Sequence, residues 1–292
     1  MDAVQIPGGG LNTQNFSTEE RIIMIRLTDQ EFQTIVTYVK NNYGINLANK
    51  RQLIEARMYS VLAEKGMKSF SEYMTLIQQK NPEEIIVLLN KLTTNHTYFM
   101  REPAHFDFIK NKFLPLQERV NHRKLVRIWS AGCSSGEEAY TTCMVLKDYF
   151  SLGRPGWDFR VLATDISEKA MSAGKTAVYS AESLKNVPQG WLTRYFVKAG
   201  ADQYRINDDI RRHVTFQRLN LMQPFPPMQP FDLIFCRNVM IYFDQNDRNK
   251  LINKYYDMLI PGGFLLIGHS ETIQRDSSKF IYLEPSVYQK GQ

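Results

Sequence analysis

The sequence predicts an α/β fold, a doubly wound and mostly parallel sheet with helices on both faces, preceded by a separate all-helical domain. Three observations predict it. Capped segments of helical periodicity fill residues 26–92 without a strand pattern among them. From about Phe106 onward, short apolar runs alternate with helical stretches, as parallel strands joined by crossover helices require. The first of these runs, "RIWSAGCSSGEEAY" from Arg127 to Tyr140, passes through a loop of small residues directly into a helix, as a ligand-binding turn of such a sheet does.

Each element follows in order. Residues 1–25, polar and carrying Gly8, Gly9 and Gly10, are expected to form a flexible leader. Thr28 and Glu31 make a capping box that opens "EFQTIVTYVKNNYG", and Ser69 with Glu72 opens "EYMTLIQQK". Gly44 and Gly66 punctuate this segment, and Pro82 suits the first turn of "EEIIVLLNKL". A linker at 93–108 leads into the α/β domain at 109–292. Its strands are "LVRIWSAG", "FRVLATD", "FDLIFCRN" and "GGFLLIGHS", with helices at "EEAYTTCMVLKDYF", "SEKAMSAGKTAVY" and "QNDRNKLINKYYDML". Trp129 and Phe235 alternate along strands buried on both faces and are expected in the core. Between the second and fourth strands, "QYRI" and "HVTFQRL" predict a small antiparallel β subdomain at about 189–220.

Composition narrows the function less. A net charge of +6 and a pI of about 9.1 suit an acidic partner, but no Lys/Arg run or aromatic RNA-binding strand points to nucleic acid. No apolar run reaches the ~18 residues of a membrane helix, and the N-terminus lacks signal-peptide order, so a cytoplasmic protein without membrane insertion is expected. No long apolar surface pattern stands out, which favours a monomer. Cys133, Cys143 and Cys236 show no metal-ligand spacing and read as reduced, buried thiols, with no metal expected.

The acidic end of the first loop is the informative departure. A dinucleotide site keeps that turn free of acid, because pyrophosphate docks on the N-terminus of the following helix, and Glu137 and Glu138 would repel it. In a doubly wound sheet the ligand sits beyond the carboxyl ends of the strands. That rule gathers Gly132 and Gly136 in the loop, Glu138 at the helix start, Asp165 ending "VLATD", Asn220 and Leu221 after "VTFQRL", and Arg237, Asn238 and Tyr242 in "CRNVMIYFD". Asp165 would accept from ribose hydroxyls. A nucleoside with ammonium and sulfonium groups and no phosphate, S-adenosylmethionine, fits such a site. The alternative is that the two glutamates only complement the helix dipole.

The strings "LTTNHTYFMRE", "RIWSAGCSSGEEAY", "VLATDIS", "FDLIFCRNVMIYFD" and "GGFLLIGHSE", in register, resemble the bacterial chemotaxis receptor methyltransferases, the CheR proteins. The likeness runs from about Leu27 to the C-terminus. It implies a Rossmann-like class I S-adenosylmethionine-dependent methyltransferase core with a small antiparallel β subdomain, behind a helical receptor-recognition domain. The implied reaction is methyl transfer to glutamate carboxylates on the cytoplasmic methylation helices of chemoreceptors, giving methyl esters and S-adenosylhomocysteine. The absence of a Pro-Pro-aromatic loop in "RNVMIYF" counts against a nucleic-acid amino-methyltransferase. A non-catalytic module that senses S-adenosylmethionine is the alternative from another class.

The resemblance also implies roles for residues. Asn95, Thr97 and Arg101 would fold over the cofactor, with Arg101 the catalytic residue that orients the carboxylate and Tyr242 its partner from the core domain. Glu138, Asp165, Asn220, Leu221, Arg237 and Asn238 would line the cofactor pocket with Gly132. Lys50, Arg51, Arg57 and Lys65 lie on the helix that presents a basic receptor-binding face in the family, though Ser60, Val61 and Glu64 stand where further positive charge is usual. The connection "YFVKAGADQYRI" is shorter than in members that tether to a receptor's C-terminal pentapeptide, so this chain is expected to work without that tether.

Overall fold

The computed structural model describes residues 25–79, 81–93, 96–274, 276 and 278–291. The expected leader lies outside them but for Ile25, and so does Asn95. The helical domain is built from α1 (Asp29–Tyr43), α2 (Arg51–Glu64), α3 (Phe70–Gln78) and α4 (Pro82–Leu92). Local chemistry sets their ends. Thr28 closes the capping box with Glu31, Gly44 ends α1 at φ 71°, and the Asn81 side chain accepts from the Glu83 and Glu84 amides. Glu31 does more than cap. Its second oxygen accepts from the Ser71 amide at 2.7 Å and hydroxyl at 2.9 Å, which ties α1 to the start of α3.

After the linker, α5 (Ala104–Phe108), a π-helical turn at Ile109–Phe113 and α6 (Leu114–Val120) form one helical run. The expected boundary at 108–109 therefore falls inside a helix, because Phe106, Phe108, Ile109 and Phe113 form one buried face that pins it to the sheet.

The α/β domain then unfolds in order: β1 (Leu125–Ala131), α7 (Glu137–Ser151), β2 (Asp158–Asp165), α8 (Glu168–Thr176), β3 (Val178–Ser180), α9 (Gln189–Tyr195), β4 (Phe196–Lys198), β5 (Gln203–Ile206), α10 (Asp208–Arg211), β6 (Val214–Arg218), β7 (Phe231–Cys236), α11 (Gln245–Met258), β8 (Leu259–Ile267), β9 (Ile281–Glu284) and β10 (Val287–Gln289). The main sheet runs β6-β2-β1-β7-β8-β10-β9, parallel from β6 to β8, with β10 antiparallel to both of its neighbours. Every residue of β7 is buried, as a central parallel strand requires. Trp129 and Phe235 are both fully buried, on opposite faces of the sheet. The core on the Trp129 face, which α11 covers, is continuous with the core of the helical domain.

Two expectations need correction. "HVTFQRL" is no part of the antiparallel subdomain: β6 pairs in parallel with β2, Val161 opposite Val214, and forms the edge of the main sheet. Its half-exposed, alternating pattern is that of an edge strand, which sequence periodicity does not separate from a hairpin strand. The antiparallel sheet is β3-β5-β4 and starts earlier, at Val178, in a stretch expected to be helical. Two further C-terminal strands, β9 and β10, lie beyond the expected strand set and pair antiparallel with each other.

Candidate active site

Strand order reverses between β1 and β7, whose neighbours are reached by connections in opposite directions, and a crevice opens at their carboxyl ends. It holds an open cavity with about 980 Å³ of empty space, the solvent at its mouth included. Thr97, Arg101, Gly132, Glu138, Asp165, Asn220, Leu221, Arg237, Asn238 and Tyr242 all line it.

The floor is the loop after β1. The amides of Gly132 and Cys133 both donate to the Thr164 carbonyl, at 2.7 and 2.9 Å, and the Ser134 amide donates to Asp165 Oδ2 at 2.8 Å. Gly132 has φ 83°, and a Cβ there would lie 2.3 Å from Val239 Cγ2, so no other residue fits without displacing the β7 loop. Asp165 thus braces the loop while facing the cavity. Burial pushes its carboxyl above the usual range, against the amide bonds from Ser167 and Ser134.

The two glutamates have separate fates. Glu138 faces the cavity, accepting from the Ser130 hydroxyl at 2.6 Å and from Arg237 Nη1 at 2.9 Å. Glu137 turns into the protein, accepts from the Ser135 hydroxyl at 2.7 Å, and has its carboxyl pushed up by burial. Only one of the pair is a site residue.

The two arginines also differ. Arg237 is buried and bonds to Glu138, to Glu102 at 3.2 Å through Nε, and to the Arg101 carbonyl through Nη2. Arg101 is half-exposed on the cavity wall. Its Nη1 donates to the His96 carbonyl at 2.6 Å, its guanidinium lies over the Tyr98 ring, and no carboxylate among the described residues pairs with it. Asn238, at φ 57°, donates its amide to Glu271, and its Oδ1 is buried with no hydrogen-bond partner among the described residues. An unmet acceptor in a cavity wall calls for a donor on a ligand.

Several contributors were not legible in the sequence. Tyr43 and Ile45, from the end of α1, form part of the wall. The helical domain is fastened around the cavity: the Asn46 amide donates to the Tyr242 carbonyl at 2.8 Å, Asn220 Nδ2 to the Asn42 carbonyl at 2.8 Å, and the Ser167 hydroxyl to Asn90 Oδ1 at 2.5 Å. Lys40 adds ion pairs to Asp244 and Asp247, each at 2.5 Å. Asn220 is therefore a fastener as well as a lining residue. Glu271, quoted above only within "GGFLLIGHSE", accepts from the amides of Gly268, Asn238 and Ile241 and holds the turn that carries Tyr242.

The expected receptor-binding residues are placed unevenly. Arg51 bonds to the Leu27 carbonyl and Asp29, Arg57 to the carbonyls of Lys91 and Thr93, and Lys65 to Glu84. All three tie the helical domain to itself. Lys50 is exposed at the start of α2.

Near the linker, Glu102, His105 and His269 bring ligand-type atoms within 4.8 Å of one another. Their shared carboxylate oxygen is already bonded to Arg237, which supplies the positive charge an ion would. His105 is buried, and burial first, then Arg237, pushes its imidazole down to about 3, so it stays neutral. Burial of Cys133 pushes its thiol up, which removes it as a nucleophile.

The chain itself is similar to known proteins. Residues 95–288 match the CheR methyltransferase SAM binding domain, and residues 30–93 the CheR methyltransferase all-alpha domain. Over 273 residues the chain is 43% identical to the chemotaxis protein methyltransferase of Borreliella burgdorferi, covering 91% of this chain and 96% of that one. It is 35% identical over 262 residues to chemotaxis protein methyltransferase 2 of Vibrio cholerae, covering 88% and 90%. With the chemotaxis protein methyltransferase of Escherichia coli it shares 33% over 271 residues, covering 90% and 92%. The chain therefore belongs to the CheR methyltransferase family, whose members carry out S-adenosylmethionine-dependent methylation in chemotaxis.

Proposed function

We propose that this chain transfers the methyl group of S-adenosylmethionine to glutamate side-chain carboxylates on the cytoplasmic methylation helices of chemoreceptors, producing methyl esters in sensory adaptation. The observation that carries the reading is Arg101. Of the two cavity arginines, Arg237 is neutralised by Glu102 and Glu138, whereas Arg101 offers its guanidinium to the cavity with no carboxylate from the described residues on it. An incoming glutamate supplies that carboxylate.

The residues present fit the cofactor. Glu138 and the unpartnered Asn238 Oδ1 are acceptors for its ammonium, Asp165 for its ribose hydroxyls, and Ile166, Leu219 and Leu221 offer apolar surface to its base. When bound, S-adenosylmethionine supplies a methyl group on a positively charged sulfur. A glutamate with the ordinary pKa of ~4.3 is already ionised at neutral pH, so the chain has no proton to remove and needs no general base. Its task is to align and partly desolvate the carboxylate. Arg101 does so with paired N–H donors and the Tyr242 hydroxyl donates beside it, while Thr97 and the aromatic Tyr98 and Phe106 wall off water. Bonds that hold the aligned geometry help, and bonds that merely stabilise the free carboxylate do not.

The helical domain is the receptor-recognition part of this reading, with Lys50 the one residue of the expected basic set whose side chain has neither a hydrogen bond nor an ion pair among the described residues: Arg51 and Lys65 are ion-paired, and Arg57 donates to backbone carbonyls. The β4–β5 connection is the four residues Ala199 to Asp202, closed by the Ala199 amide on the Gln203 carbonyl at 2.8 Å. That tight turn supports action without a pentapeptide tether. No helix among the described residues is long and apolar enough to cross a membrane.

The test is transfer from methyl-labelled S-adenosylmethionine to membranes that contain chemoreceptors, followed by alkali. Volatile labelled methanol is the expected product of a carboxyl methyl ester. Label that survives alkali, or cofactor binding without transfer, overturns the reading. A receptor truncated by its last five residues should be methylated at the full-length rate.

A further inference from the structure

A half-exposed guanidinium on a connecting segment needs something to hold it. Arg101 stands between Met100 at φ 60° and Glu102 at φ 54°, both in the left-handed region that residues with a Cβ avoid. Such a turn persists only where its surroundings enforce it. The Met100 amide makes one long bond to the Thr141 hydroxyl at 3.4 Å, and Arg237 grips the turn twice, through the Arg101 carbonyl and through Glu102 Oε2 at 3.2 Å. The third arm of the same guanidinium reaches Glu138 at 2.9 Å, so one planar group joins the linker to the cofactor loop.

Glu102 decides how that plane is set. Its side chain is largely buried, and although burial alone would raise its carboxyl, Arg237 and then His269 hold it below the usual range. Without Glu102, Arg237 would keep Glu138 as its sole carboxylate partner among the described residues and would no longer be fixed on the edge that faces the linker. His105 Nδ1 lies 3.5 Å and His269 Nε2 4.0 Å from the same oxygen, so neither replaces the guanidinium bond.

We propose that Glu102 is a positioning residue for methyl transfer: it orients Arg237, which in turn clamps the strained Met100–Glu102 turn so that Arg101 points into the cavity. This rests on the reading of Arg101 as the group that orients the substrate carboxylate. It adds a residue that touches neither cofactor nor substrate.

The experiment is a double-mutant cycle on the full chain, with labelled S-adenosylmethionine and receptor membranes. Glu102→Ala should lower kcat by about 30-fold, with the Kd for S-adenosylhomocysteine within about threefold of wild type by calorimetry. In an Arg101→Ala background the same substitution should change turnover by less than about twofold, because its effect passes through Arg101. Glu102→Gln, which keeps an acceptor for Arg237 Nε, should recover most of the loss. Should the alanine variant fail to fold, Glu102→Asp takes its place in the cycle, since it withdraws the acceptor and keeps the charge. An Arg101→Ala enzyme as active as wild type overturns the reading of Arg101 itself. An impaired Arg101→Ala enzyme in which Glu102→Ala costs nothing, or costs the same factor in both backgrounds, overturns the inference alone.

Discussion

Arg51 and Arg57 in the helical domain carry the same guanidinium as Arg101 in the linker, and the structure uses it in opposite ways. Arg51 and Arg57 donate to the backbone of their own domain, Arg57 to the last carbonyls of α4, which a helix end leaves unmet. Arg101 donates once to its own segment and otherwise faces the cavity. A positive charge therefore marks a binding surface only where the fold has not already supplied its partner. The largest expected effect tests that directly. Arg101→Ala should lower kcat/KM by about 10²–10³-fold, or about 3–4 kcal/mol, and leave the melting temperature unchanged, because no structural bond of the core is lost. Methylation rates beside a thermal melt would show it, and a destabilised variant of normal activity would make the two arginines alike.

The cavity floor and the helical domain differ in the same sense. Gly132 is confined by the close approach of Val239 and by a left-handed backbone, so Gly132→Ala should cost about 3 kcal/mol and weaken cofactor binding together with stability. Glu31, by contrast, should affect stability alone. It is buried between α1 and α3, and Glu31→Ala should cost about 2 kcal/mol by leaving the Ser71 and Thr28 amides without their acceptor, with kcat unchanged. Its pH dependence has a definite sign. Burial acts to raise the Glu31 carboxyl, but the bonds from Thr28 and Ser71 prevail and hold it below its ordinary value. The stability it adds is then fully present above the unfolded pKa of ~4.3 and is lost as pH falls through the lower folded value. Urea unfolding of wild type and Glu31→Gln from pH 7 to 3 should converge at the acid end.

How much was legible follows the range of the interactions. The capping box at Thr28, the glycine at 44 and the alternation of strands are local, and they read directly from adjacent residues. Gly132, Glu138 and Asp165 are far apart in sequence, yet the sheet's switch point places them together once the strand order is known. Tyr43, Ile45 and the grip of Arg237 on Glu102 depend on how the linker and helical domain lie over that switch point, and no local pattern encodes it. Adjacency in sequence would pair Glu102 with Arg101. It is instead the counter-charge of an arginine 135 residues further along the chain. The edge strand β6 was misread for the same reason, since its exposed pattern says nothing of which strand it joins.

The smallest expected effect sharpens the comparison on the receptor side. If a basic face of α2 docks an acidic receptor helix, its working charge is the one the fold leaves exposed. Arg57→Ala should then cost about 1 kcal/mol of stability, since the carbonyls of Lys91 and Thr93 lose their donor, and any slowing of receptor methylation should follow from that loss. Lys50→Glu should leave stability within about 0.5 kcal/mol and raise the KM for receptor membranes about threefold at low salt, with the difference fading as ionic strength rises. A salt-insensitive change, or the larger KM effect in Arg57→Ala, would move the docking surface away from Lys50 and back to residues bonded within the fold. Unchanged KM in both variants would mean that receptor selection rests on shape at the cavity that Arg101 and Tyr242 line.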